Sequence, residues 1–191
     1  MQNDFLPGGS LAVPEGDQIL EGINALSFKF YSQSARVVFT QDWHPKLHGS
    51  FASAHPGTKP GDPINDFGLG PILWPDHCVQ NTLGAELSSK IDTRFGIAVI
   101  RKGYHQNIDS YSTFFENDKT TKTGLAGMLK DLGIKKVFLC GLALDYCIFY
   151  SAMDAKQEGF EVFVVKDLTK GIDQPLRSEE HTSELQSRQV I

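Results

Sequence analysis

Apolar residues fall along this chain in two rhythms, separated by long stretches that have neither. Residues 17–34 carry Ile19, Leu20, Ile23, Ala25, Leu26 and Phe30 at helical spacing. That pattern predicts a helix with a broad apolar face, and Asp17 stands where a side chain caps a first turn. Residues 35–40 (ARVVFT) form a short, nearly continuous apolar run, the pattern of a strand buried on both faces. Similar runs predict strands at 96–100 (GIAVI), 136–141 (KVFLCG) and 161–166 (EVFVVK). Helices are expected at 123–132, stopped by Gly133, and at 146–158, stopped by Gly159. Strands alternating with helices imply a three-layer α/β fold, a parallel sheet with helices on both faces.

Periodicity vanishes from residue 41 to 84 and again after Gly103 to about residue 121. Irregular segments this long inside a compact domain are usually functional. They also follow predicted strands, and parallel sheets bind ligands at the carboxyl ends of their strands. Three places are thereby selected: after Thr40, after Ile100 and after Gly141.

Composition narrows the classes without choosing among them. The chain has 191 residues, 40% hydrophobic and 21% charged, with a net charge of -5. One soluble domain is the expectation. No dense basic cluster argues for nucleic acid or an anionic membrane. No apolar run approaches the ~20 residues of a membrane span, and no signal peptide opens the chain. The three cysteines, Cys78, Cys140 and Cys147, have neither finger nor disulfide spacing, which suits a reducing, cytoplasmic setting. The oligomeric state is left open.

Chemistry concentrates at the three selected places. Asp42 and His44, in Gln41-Asp42-Trp43-His44-Pro45, are two apart and share a side of an extended segment. A carboxylate and an imidazole suit one divalent cation, Zn²⁺, Mn²⁺ or Fe²⁺. Alone, such a pair is a weak signal. His77, stiffened by Trp74 and Pro75, offers a third ligand from a separate loop. His48 is balanced between ligand and loop residue, whereas His55 reads as a loop residue. Cys147 enters a predicted helix just after strand and turn, the geometry of an exposed nucleophile beside free N–H groups. Cys140, inside its strand, and Cys78 read as structural. Lys102, or Arg101 beside it, could favour a thiolate.

Five motifs in order now resemble one family. QNDF with PGGSLAVPEGD, QDWHP with HGSFAS, WPDHC, RKG with DSYSTFF, and GLALDYC are similar to the nicotinamidases and pyrazinamidases of the isochorismatase-like cysteine hydrolases. The resemblance runs from Met1 to about residue 176. It implies the isochorismatase-like fold and hydrolysis of nicotinamide to nicotinate and ammonia, in NAD salvage. It implies Cys147 as nucleophile and Lys102 as the catalytic lysine. Asp42, His44 and His77 would hold one divalent metal, zinc first, with iron or manganese as alternatives and His48 as a fourth ligand in some relatives. Phe5, Leu11, Trp74, Tyr111 and Tyr146 would wall a pocket for a small heteroaromatic amide. A cis Leu142–Ala143 peptide would let the amides of Ala143 and Cys147 form the oxyanion hole.

The ends depart from the family. Its catalytic aspartate lies in V-D-x-Q-N-D-F, and here Met1 stands at x, so the resemblance puts that aspartate immediately before Met1. Asp4 belongs to the later NDF part and does not replace it. The string RSEEHTSELQS at 177–187 matches what a common sequencing-library adapter encodes in frame. The expectation is a domain over 1–176 lacking its first strand and its last helix–strand unit, with 177–191 a non-native tail. An inactive fragment or pseudo-enzyme, or a sister amide or ureido hydrolase, is the alternative.

Overall fold

The fold is seen in a computed structural model that describes residues 1–172; the expected tail at 177–191 lies outside the described residues. Helix α1 spans Leu20–Ser32, β1 Val37–Asp42, β2 Gly96–Lys102, α2 Leu125–Asp131, β3 Lys136–Leu142, α3 Phe149–Gln157 and β4 Glu161–Lys170. Strands β1 and β2 pair in parallel, and so do β3 and β4. The helices cover both faces. Leu20 and Ile23 of α1 pack with Phe39, Cys140, Leu142 and Leu168 on one side. On the other, Leu125, Ala126 and Leu129 of α2 and Phe149, Ala152 and Ala155 of α3 pack with Val38, Val137 and Val162. Alternate residues of β3 thus serve opposite layers, as a strand's two-residue period requires. Each fully buried Leu, Ile, Val or Phe among them contributes about 1.5–3 kcal/mol.

The sheet is present as two pairs, β1–β2 and β3–β4, with no ladder between them. A cavity of about 460 Å³ separates them, lined by Val38, Phe39 and Thr40 of β1 and by residues 136–142 of β3. Its far end reaches Asp42, Lys102 and Cys147, beside Met1.

Element ends differ from expectation for local reasons. Asp17 does not cap α1: it sits in a 3-10 turn over Gly16–Ile19, and no side chain caps the helix. The apolar run stops at Thr40, but β1 continues to Asp42 because its backbone stays in register with β2, with Asp42 opposite Lys102. Residues 37–40 are only half buried, since one edge of β1 borders the cavity. The last helix starts earlier than expected, as a π-helical turn over Leu144–Ile148 that leads into α3. Among the described residues, no helix is long and apolar enough to cross a membrane.

Candidate active site

Asp42 closes β1, and His44 follows in a segment bridged to Val79. His77 comes from the Trp74–Cys78 loop. All three are buried, and one ligand atom from each lies within 4.8 Å of the others. Both imidazoles are oriented from behind: His44 Nδ1 meets the Gly103 carbonyl at 2.8 Å and His77 Nδ1 meets that of Pro75 at 2.8 Å. A carbonyl only accepts, so each Nδ1 carries the proton and each Nε2 keeps its lone pair. His44 Nε2 lies 3.9 Å from Asp42 Oδ2. Two neutral imidazoles and a carboxylate, the rings fixed by carbonyls, form the donor set of a transition-metal site. Burial, with His77, His48 and Lys102 nearby, holds His44 well below its usual pKa and therefore neutral.

Further residues brace this cup. Gln2 donates through Nε2 to the Asp42 carbonyl at 2.7 Å, and its Oε1 accepts from the Asp42 N–H at 2.8 Å. Asp4 Oδ2 accepts from the Cys78 N–H at 2.7 Å, tying down the His77 loop. The Gly103 N–H donates to the buried Glu116 carboxylate. Gly103 has φ +64°, and a Cβ there would lie 2.5 Å from His44 Cε1. Glycine is required on both counts.

His48 does not join the cup as it stands. Its Nδ1 accepts from the Ser50 N–H at 3.3 Å and lies 2.7 Å from Ser50 Oγ, while Nε2 meets the Ile108 carbonyl at 3.1 Å. Both nitrogens are occupied, so ligation would cost one of these bonds. His55 is a loop residue, bonded to the Gly49 carbonyl at 2.7 Å.

Cys147 lies in the π-helical turn after β3. Lys102, the last residue of β2 and 2% exposed, reaches between Asp42 and Cys147. Its ammonium meets Asp42 Oδ1 at 2.7 Å, the Ser110 carbonyl at 2.5 Å and Cys147 Sγ at 3.6 Å. Arg101 points away and stacks over Trp43, 3.7 Å from the ring centre. Burial opposes the charge on Lys102, but Asp42 and Cys147 outweigh it and hold its pKa above the ordinary value. Burial pushes the Cys147 thiol up to about 11, against the pull of Lys102 and a hydrogen bond from the Ala143 amide. The Leu142–Ala143 peptide is cis. Cys78 is fully buried and Cys140 partly so, and neither is paired.

The five aromatic and aliphatic residues expected to wall a pocket do converge. Phe5, Leu11, Trp74, Tyr111 and Tyr146 line one cleft with Cys147, Asp42, His44 and His77. Trp74 stands edge-on to Tyr146, centroids 4.9 Å apart, and its indole N–H donates to the Tyr111 hydroxyl at 3.1 Å. That hydroxyl donates to the Gly70 carbonyl at 2.9 Å. The cleft is narrow, about 30 Å³. Asp109, Ser110 and Ile172 also line it and were not singled out from the sequence. Burial raises the Asp109 carboxyl to about 6.

The isochorismatase domain model matches residues 1–189. The nicotinamidase of Acinetobacter baylyi is 49% identical over 174 residues, covering 91% of this chain and 79% of that protein. The solved Acinetobacter baumanii nicotinamidase and pyrazinamidase superposes with a TM-score of 0.94 at 44% identity, over 100% of this chain and 90% of that one. The pyrazinamidase of Pyrococcus horikoshii, solved in complex with zinc, gives 0.82 at 38% identity, over 100% and 92%.

Proposed function

This chain belongs to the isochorismatase family, and within it to the nicotinamidases, and on that premise we propose that it hydrolyses nicotinamide to nicotinate and ammonia through a thioester on Cys147. The observation that carries the proposal is the Asp42–Lys102–Cys147 line abutting a cleft with both a metal donor set and aromatic walls. A flat ring lies between Trp74, Tyr111, Tyr146 and Phe5, as offset and edge contacts favour. Its carboxamide carbon then faces Cys147 Sγ. As the C–S bond forms, the charge on the carbonyl oxygen is met by the amides of Ala143 and Cys147. Lys102 steadies the sulfur's charge before attack. The proton lost by the thiol ends on the leaving nitrogen, the C–N bond breaks and ammonia departs; water then adds to the thioester, its C–S bond breaks, and the acid and the thiol are released.

Asp42, His44 and His77 would hold the divalent ion, zinc by donor type and by the zinc-bound relative. When bound, the ion supplies Lewis acidity to a ring nitrogen or a water. Asp42 can serve it through Oδ2 while Oδ1 stays with Lys102. Residues 1–176 would form the one domain, and the nicotinate formed would feed NAD salvage.

The test is ammonia release from nicotinamide by zinc-loaded protein, compared with Cys147→Ala. Release that requires Cys147 supports the proposal. Turnover of a carbamoyl or ureido compound but not of nicotinamide would move it to a sister activity. One observation favours a second reading, a chain that binds without turning over. The thiol stands at about 11, and its near neighbour Lys102 is a cation that cannot take its proton. If so, zinc-loaded protein would bind nicotinamide without releasing ammonia, as equilibrium binding measured beside the ammonia assay would show.

A further inference from the structure

The mechanism above leaves Asp109 without a task. The residue is 2% exposed. Its Oδ1 accepts from the Ser110 N–H at 2.8 Å, but Oδ2 is buried and has no hydrogen-bond partner. A buried carboxylate oxygen lacking a donor is expensive to keep, so a missing partner is implied. Two observations locate it. Asp109 lines the same cleft as Cys147 and His77. In addition, His44, His48 and Asp109 bring one ligand atom each within 4.8 Å of one another. This second set shares His44 with the Asp42, His44 and His77 set. Since His48 spends both nitrogens on Ser50 and Ile108 and His44 already belongs to the first set, Asp109 Oδ2 is what the second set adds toward a cation. Charge argues the same way. The first set sets one carboxylate against a doubly charged ion in a buried place, and a second carboxylate would neutralise the remainder.

We propose that Asp109 is a second carboxylate of the cation site, its Oδ2 engaging the ion directly or through one bridging water. This rests on the reading of Asp42, His44 and His77 as ligands. The role is separate from that of Lys102 and Cys147, because it acts on retention of the ion rather than on the sulfur.

Asp109→Asn keeps the size of the side chain and the oxygen that serves Ser110, and removes the charge. The experiment strips the full chain of metal, then measures Zn²⁺ affinity by competition with a chromophoric chelator, and melting with and without Zn²⁺. Zinc affinity is expected to fall about ten- to a hundredfold, the usual effect of losing a supporting partner of a metal site. The zinc-induced rise in melting temperature should shrink in step. Metal-free Asp109→Asn should melt no lower than the metal-free parent; a marked drop there, with zinc affinity kept, would make Asp109 merely structural. Asp109→Ala, read in the same way, guards against an effect peculiar to asparagine. Unchanged zinc affinity in both variants overturns the proposal. The underlying reading fails separately, if the parent binds no zinc or if Asp42→Asn and His77→Gln bind it as tightly as the parent.

Discussion

Replacing Lys102 by Met tests the geometry most sharply, because methionine keeps much of the stem and removes only the charge. Lys102 and Asp42 have side-chain exposures of 3% and 8%, and their contact is 2.7 Å. Without the ammonium, Asp42 is left as a buried charge and the Ser110 carbonyl loses its donor. Breaking one side of a buried pair typically costs about 3–5 kcal/mol. Asp42 Oδ2 also lies near His44 Nε2, which places the expected loss toward about 3 kcal/mol by the same rule. Whole domains hold only about 5–15 kcal/mol, so the effect is large. The folded-state pKa of Lys102 is raised, so its contribution is fully present below the unfolded value of about 10.4 and is lost only as pH rises through the higher folded value. The penalty should therefore be constant from pH 6 to 9. Urea unfolding of metal-free protein, with an unchanged m-value, measures it. A loss under about 1 kcal/mol, the scale of an exposed pair, or a penalty that fades within that pH range, would refute the reasoning.

Gly103→Ala forces a methyl onto the His44 ring at a φ of +64°. It should cost about 1–2 kcal/mol in backbone strain alone and weaken zinc binding, as titration of the metal-free variant would show. Tyr111→Phe strips the partner from the Trp74 indole and from Gly70. A stability loss of about 1–3 kcal/mol is expected, with KM for the amide rising more than kcat falls. In a Cys140→Ser background, alkylation of metal-free protein at Cys147 should climb with pH toward a midpoint near 11, because burial disfavours the thiolate. Lys102→Met should push that midpoint higher still, and an unmoved profile would deny the lysine its role.

Much of this was legible in the sequence, because the site hangs on the ends of strands and strands announce themselves by apolar runs. The order of elements follows from that, and so does the gathering of Asp42, His44 and Cys147 beyond the strand ends; the roles proposed for them rest on the resemblance. The choice between Arg101 and Lys102 was also within reach of a two-residue period. Ile100 packs inward with the α2 and α3 layer, and Lys102 shares its side of β2. Exposed Ile97 and Val99 blurred the alternation by making the run look apolar throughout. The helix start was harder, since a π-helical turn has no apolar period of its own to read. Gln2, Glu116 and Asp109 could not be found by pattern. Gln2 and Glu116 matter through contacts with backbone far along the chain, Asp109 through an oxygen without a donor, and polar residues in irregular segments carry no rhythm. QNDF and DSYSTFF held the only signal, by resemblance, and for Gln2 and Asp109 alone.

The central claim is that Cys147 carries the acyl group. Acid-quenched protein taken during turnover of nicotinamide, digested and mapped by mass spectrometry, tests it directly. The expected result is a nicotinoyl adduct on the Cys147 peptide that disappears, together with ammonia release, in Cys147→Ala. Ammonia release that persists in Cys147→Ala, or an adduct on Cys78 or Cys140 instead, would contradict the account.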